Sequence, residues 1–241
     1  MRIVIFIFDI LLTSCFSRNK IESGSSRIKI FMLVDGVLDD KSFNSSANRA
    51  LLRLEEDFPE NIEKVFSSAA SGVYSSYVSD LDNLKMNGSD LIWLVEYMLM
   101  GASLSVLLEN PKISYGIIGP AYIDDVRIPK NLIGVVFRIE QGAFLAFYIA
   151  AKKSVSGKIG FIGKVKGDIV DALYLVASEY LKNNNTWEGG KIIQMGLRDG
   201  VIGLSNANKF EYIKVIERKI VNEEIIVSDS EYAFDLFKSK L

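Results

Sequence analysis

Ile28-Lys29-Ile30-Phe31-Met32-Leu33-Val34-Asp35-Gly36-Val37-Leu38-Asp39-Asp40-Lys41-Ser42-Phe43-Asn44 is the stretch that decides the fold. Its first seven residues are apolar except Lys29, a run that suits a strand covered on both faces. Asp35-Gly36 ends it. Beyond, Phe43, Ala47, Ala50, Leu51, Leu54 and Phe58 recur at the spacing of one helix face. Asp39, Asp40 or Ser42 is placed to cap that helix. A doubly covered strand followed by an amphipathic helix is how a parallel α/β sheet begins.

The same alternation continues outward. Further strands are expected at 61–66, 91–95, 113–118, 132–137 and 158–163. Helices are expected around Tyr74 to Leu84, closed by Gly88, around Leu104 to Leu108 ahead of Pro111, and over 141–153. After residue 167 the rhythm changes. Ile169, Ala172, Leu173, Val176, Ala177, Tyr180 and Leu181 mark a regular helix. Two short apolar runs, 192–197 and 201–204, flank Arg198-Asp199-Gly200, which reads as a hairpin. Phe210, Ile213, Ile216 and Ile220 mark another helix, and Ser228 with Glu231 a capping box. There are no internal repeats.

The chain has 241 residues, 49% of them hydrophobic and 24% charged, and a formal net charge of -2. That supplies a core and carries no basic excess of the kind nucleic-acid binding needs. With no His and one Cys, His-dependent triads, internal disulfides and the common zinc sites are excluded. Asp39-Asp40 and Asp124-Asp125 lie in expected loops. Adjacent carboxylates rarely converge on one reaction centre, and neither pair supplies enough oxygens for calcium. Gly160, Gly163 and Gly167 miss the dinucleotide-binding spacing. The expectation is a protein that is not an enzyme, without catalytic residues, metal or cofactor.

The first residues read differently. Arg2 precedes the apolar run from Ile3 to Leu12, and Thr13-Ser14-Cys15 follows. The run is short for a membrane span and fits a signal peptide over 1–14. Leu12-Thr13-Ser14-Cys15 resembles the lipobox of bacterial lipoproteins, which implies lipidation of Cys15 and a polar tether over 15–27. Several acyl chains at one residue anchor stably where one chain does not. The plain alternative, favoured by Asp9, is a buried first strand with an incidental Cys.

Ligands of doubly wound sheets sit at the carboxyl ends of the strands, which here means the loops 35–44, 119–125 and 163–168. The first is the densest in polar groups. Phe43 offers a flat face for a planar ring, Asn44 a donor–acceptor pair for a heterocycle, and the carboxylates acceptors for ribose hydroxyls. The candidate ligand-binding residues are Asp39, Asp40, Ser42, Phe43 and Asn44. The same residues read equally well as a capped helix with Phe43 in the core.

Several segments carry a resemblance: the loop 35–44, Gly88-Ser89-Asp90-Leu91-Ile92-Trp93-Leu94, Phe137-Arg138 with Gln141-Gly142-Ala143-Phe144-Leu145, and Gly157-Lys158-Ile159-Gly160-Phe161-Ile162-Gly163. To these add Trp187-Glu188-Gly189-Gly190-Lys191 and Gly196-Leu197-Arg198-Asp199-Gly200-Val201-Ile202-Gly203. Together they are similar to the basic membrane protein family of spirochaetes, over nearly the whole chain. The resemblance implies a type I periplasmic-binding-protein-like fold of two α/β lobes that close on a ligand. It implies a lipid-anchored, exported substrate-binding protein of an ABC-type purine nucleoside importer, with an ABC permease as partner. Phe43 would stack on the base.

The chain departs from the family in three ways. It passes from Asp171 to Ala172 as if about 100 residues, roughly one domain, were absent. Gly119 stands where the family has a base-reading Asp. Phe147 and Lys164 stand where Gly is usual, so Phe147 is expected to strain the lobe. The expected organisation is a largely complete first lobe over 28–166 and a remnant of the second lobe with C-terminal helices over 167–241. Nucleoside capture would then be impaired. The alternatives are a surface lipoprotein that contacts host extracellular matrix or other proteins, or the product of a decaying gene.

Overall fold

The computed structural model describes residues 27–39, 43–70, 72–96, 98–120, 128–159, 168–204 and 210–228. Cys15, the leader and the tether lie outside these residues. So do Asp40, Ser42, Asp124, Asp125, the glycines of 160–167 and Glu231 of the expected capping box.

β1 (Ile28–Val34) leads into α1 (Phe43–Asp57), and β2 (Ile62–Ala69) into α2 (Tyr77–Met86). β3 (Leu91–Val95) and α3 (Met98–Glu109) follow, then β4 (Ser114–Ile118), β5 (Leu132–Phe137) and α4 (Ile139–Lys153). α5 (Ile169–Lys182), β6 (Lys191–Met195) and α6 (Glu211–Val221) complete the described elements. The strands form one sheet in the order β2-β1-β3-β4-β5-β6, every pair parallel.

Strand alternation explains why β1 is apolar throughout. Ile30, Met32 and Val34 face a core shared with Trp93, Val95, Ile118 and Val135 and covered by α1 and α5. Phe31 and Leu33 face the other core with Ile92, Leu94, Tyr115 and Ile117, covered by α2 and α3. Burial pushes the Tyr115 phenol up to about 12, with the charge of Asp82 adding to it. The fold is therefore the expected α/β layer structure of a type I periplasmic-binding-protein-like lobe.

Three expectations need correction. The sixth described strand is β6; Lys158 and Ile159 are not in a strand, and the rest of the expected strand 158–163 lies outside the described residues. β6 pairs in parallel with β5 from Ile133↔Lys191 to Phe137↔Met195. The hairpin is absent: Leu197–Asp199 forms a 3-10 turn in which the Asp199 carboxylate accepts from Gly196 N at 2.8 Å. Gly200 closes the turn at φ +74, a left-handed conformation that glycine adopts without strain. Asp-Gly thus ends a helical turn here, and Val201 and Ile202 drop into the core instead of pairing. Phe147 is 43% exposed on α4 and belongs to neither buried cluster, so the expected overpacking does not fall on the core.

The described residues on either side of residue 167 share one core. α5 lies on α1, with Ala172, Leu173, Val176 and Ala177 in the same core as Ala47, Leu51 and Leu54. At the rim the Arg53 guanidinium sits 3.8 Å over the Tyr174 ring and 3.2 Å from Asp171 Oδ1. Tyr174 donates to Asp57 at 2.7 Å. These exposed pairs are worth little individually, and the buried leucines supply most of the docking energy. Leu173→Ala, at a fully buried position, is expected to cost about 2–5 kcal/mol in urea unfolding. A loss below about 1 kcal/mol would mean that α5 lies outside the cooperative unit.

Candidate functional site

The strand order reverses between β1 and β3, because β1 is followed outward by β2 and the chain then returns to the other side of β1. Ligand crevices in parallel sheets open at such a switch point, outside the carboxyl ends of the strands. Here β1 ends in Leu33-Val34-Asp35 and β3 in Leu94-Val95-Glu96. Asp35 N donates to Val95 O at 3.5 Å, which holds the two ends side by side.

Asn44, in the first turn of α1, is only 5% exposed. Its Nδ2 donates to Asp35 O at 2.8 Å and to Val37 O at 3.0 Å. Both amide hydrogens are spent on the loop, so Asn44 shapes the crevice wall. Phe43 is half-buried against the core beneath α1, and Asp39 is exposed on the loop. The structure thus brings Asp39, Phe43 and Asn44 to one loop–helix junction and gives Asn44 a structural task.

The sequence reading missed three residues. Tyr77, buried at the start of α2, donates to Asp35 Oδ1 at 2.9 Å. Burial first, then the hydrogen bond to Asp35, hold its phenol above the ordinary tyrosine range, so it remains a donor at neutral pH. Glu96 has φ 100, a strained backbone for a residue with a side chain. The shared Leu-Val-acidic ending of β1 and β3 was a legible signal for Asp35 and Glu96. Nothing local marked Tyr77.

Gly119 closes β4 at φ +71, donates to Val135 O at 2.9 Å and has open space around its Cβ position. Gly119 itself supplies no carboxylate at that strand end. Val37 is 66% and Val73 56% exposed beside these loops. Among the described residues no group of three or more His, Cys, Asp or Glu is placed to hold a metal ion. The strand-end face offers carboxylate acceptors, a partly buried aromatic ring packed on the core and open apolar rims. Those features suit hydrogen bonding and stacking to a neutral, hydroxyl-bearing ring compound. Asn44→Ala is expected to destabilise the chain by about 1–3 kcal/mol, because two backbone carbonyls lose their donor. An unchanged urea midpoint would show that the loop is held by other contacts.

Comparison with known proteins identifies the family and the fold. The family model described as ABC transporter substrate-binding protein PnrA-like (Bmp) matches residues 27–172 and 165–231. The two matches meet at 165–172, the place where the sequence passes between distant family segments. Basic membrane protein B of Borrelia garinii subsp. bavariensis is 63% identical, over 98% of this chain and 98% of its own length. That alignment runs over 334 positions, 93 more than the 241 residues of this chain. Basic membrane protein A of Borreliella burgdorferi is 31% identical over 98% of this chain and 97% of its own. Among solved structures, an ABC transporter solute-binding protein from Aeropyrum pernix aligns with a TM-score of 0.64 at 16% identity, over 88% of this chain and 97% of that one. Another from Conexibacter woesei aligns with a TM-score of 0.61 at 13% identity, over 84% and 99%. The chain belongs to the Bmp family of PnrA-like ABC transporter substrate-binding proteins.

Proposed function

We propose that the protein is a lipid-anchored capture protein for purine nucleosides that serves an ABC permease, with affinity reduced by the shortened chain. The observation that carries this reading is the first-loop crevice, where Asp35, Asp39 and Phe43 lie together at the switch point of a substrate-binding family fold. Phe43 supplies a stacking face for the base and the carboxylates accept from hydroxyls. Anchoring rests on Cys15 and the apolar leader. Among the described residues no helix is long and apolar enough to cross a membrane, so attachment through lipid fits an exported protein held at the membrane face.

The affinity argument is physical. A cleft ligand is buried by walls on several sides, and among the described residues a single lobe faces this site. Gly119 contributes no carboxylate. Losing two or three charged hydrogen bonds, each worth about 1.5–3 kcal/mol, moves a tight binder toward millimolar. A second reading, a surface lipoprotein that contacts host extracellular matrix or other proteins, is favoured by the open apolar residues Val37 and Val73 at the same strand ends.

The deciding experiment is a thermal unfolding scan of the full chain with inosine, guanosine or adenosine. A ligand of millimolar affinity at about 10 mM stabilises by about 1.4 kcal/mol, which raises Tm by a few degrees. A cooperative transition that rises with nucleoside supports capture. A cooperative transition that does not move removes the nucleoside reading and leaves the interaction reading.

A further inference from the structure

At the other end of the strand-end face, two adjoining hollows of about 160 and 230 Å³ share Arg138, Gln141, Ile220 and Glu223. They lie where β5 and β6 end, beneath the last turn of α6. None of the Asp35–Asn44 loop contributes. A volume of this order accommodates a small ligand.

One wall is rich in donors. Gln141 is 7% exposed, and its Oε1 accepts from Leu197 N at 2.9 Å, which fixes the plane of the amide. Among the described residues its Nε2 donates to no protein group. Arg138 Nε binds Glu140 at 2.9 Å, and its two Nη groups likewise have no acceptor among the described residues. Arg138 is the N-cap of α4 and Gln141 lies in its first turn. The positive end of a helix therefore meets the same space.

The charges decide which oxyanion fits. Glu140, Asp199 and Glu223 also border the region, and each is committed: to Arg138, to Gly196 N at 2.8 Å, and to Arg198 at 2.9 Å. Two guanidiniums against three carboxylates leave one negative charge in excess, which excludes a phosphate or a dicarboxylate and means that a single carboxylate head is held by directed hydrogen bonds and not by net charge. A single negative charge can be held by the oriented amide, the spare Arg138 donors and the helix end. The opposite wall is apolar. Ile220 and Val227 are buried there, Ile225 is half-buried, and Ile226 stands 72% exposed at the rim.

We infer that this pocket binds a monocarboxylate with a short aliphatic tail. The head sits on Arg138 and Gln141, and the tail lies along Ile220, Ile225 and Val227. This second site is separate from the switch-point crevice, so it stands or falls independently of nucleoside capture.

The test is titration of the full chain, labelled at isoleucine methyls, with sodium hexanoate, followed by NMR. Saturable shifts at Ile220 and Ile225, in a roughly millimolar range, are expected. Arg138→Met combined with Glu140→Gln removes the donors without leaving a buried carboxylate, and should weaken binding about tenfold or more. Ile226→Glu, at an exposed rim position, should weaken it severalfold with an unchanged Tm, which keeps the test valid if the double variant misfolds. Phosphate and 1-hexanol serve as separate probes. The inference is overturned if hexanoate gives no saturable shift or binds both variants as tightly as the parent. It is also overturned if hexanol matches hexanoate, which would mean apolar partitioning only, or if phosphate does, which would mean a general anion site.

Discussion

The parallel ladder between β5 and β6 is the interaction on which the rest of this structure depends. It joins the chain before residues 165–172, where the two family matches meet, to the chain after them. Without β6, β5 would be an edge strand with one row of backbone groups unpaired. Without α5, the α1 side of the sheet would expose the residues that Leu173, Val176 and Ala177 now cover. A ring cluster reinforces the joint. Trp187 meets Tyr180 edge-on at 5.3 Å and Trp93 at 6.3 Å. Trp187 Nε1 donates to Asn131 O at 3.0 Å, and Asn131 Nδ2 donates to Leu107 O at 3.0 Å. The tail is thereby tied to both layers of the lobe.

This arrangement explains how a chain shorter than its relatives by about a domain's length keeps a complete sheet. The alignment covers 98% of each chain, so the surplus of at least 93 positions is internal. The two family matches meet between α4 and α5, and a domain set into a lobe at a single connection can be absent while the core of that lobe stays closed. The functional consequence falls on the strand ends. Asp35, Glu96 and Gly119 lie on a face with no facing lobe among the described residues.

Much of the fold was legible because β strands buried on both faces write themselves as apolar runs. Ile28–Val34, Leu91–Val95 and Leu132–Phe137 needed only that pattern. The errors came where a short-range signal competed with tertiary pairing. Asp199-Gly200 between apolar runs fits a hairpin, yet β6 finds β5, which is distant in sequence, and the turn closes as 3-10. The site was half legible. Asn44 stood out as a polar residue at a strand-to-helix junction, but its buried amide serves the Asp35 and Val37 carbonyls, a partnership no spacing rule reveals. Tyr77 reaches Asp35 only because α2 packs beside β1.

The central claim is that the residues beyond the junction complete one cooperative lobe. Native-state amide hydrogen exchange tests it most directly, since it resolves sub-global openings from global unfolding. The account predicts that the slowest amides of α5 and β6 exchange with the same opening free energy as those of β1 and β3. Exchange of α5 and β6 through a separate opening of lower free energy, with β1 and β3 still protected, would contradict it.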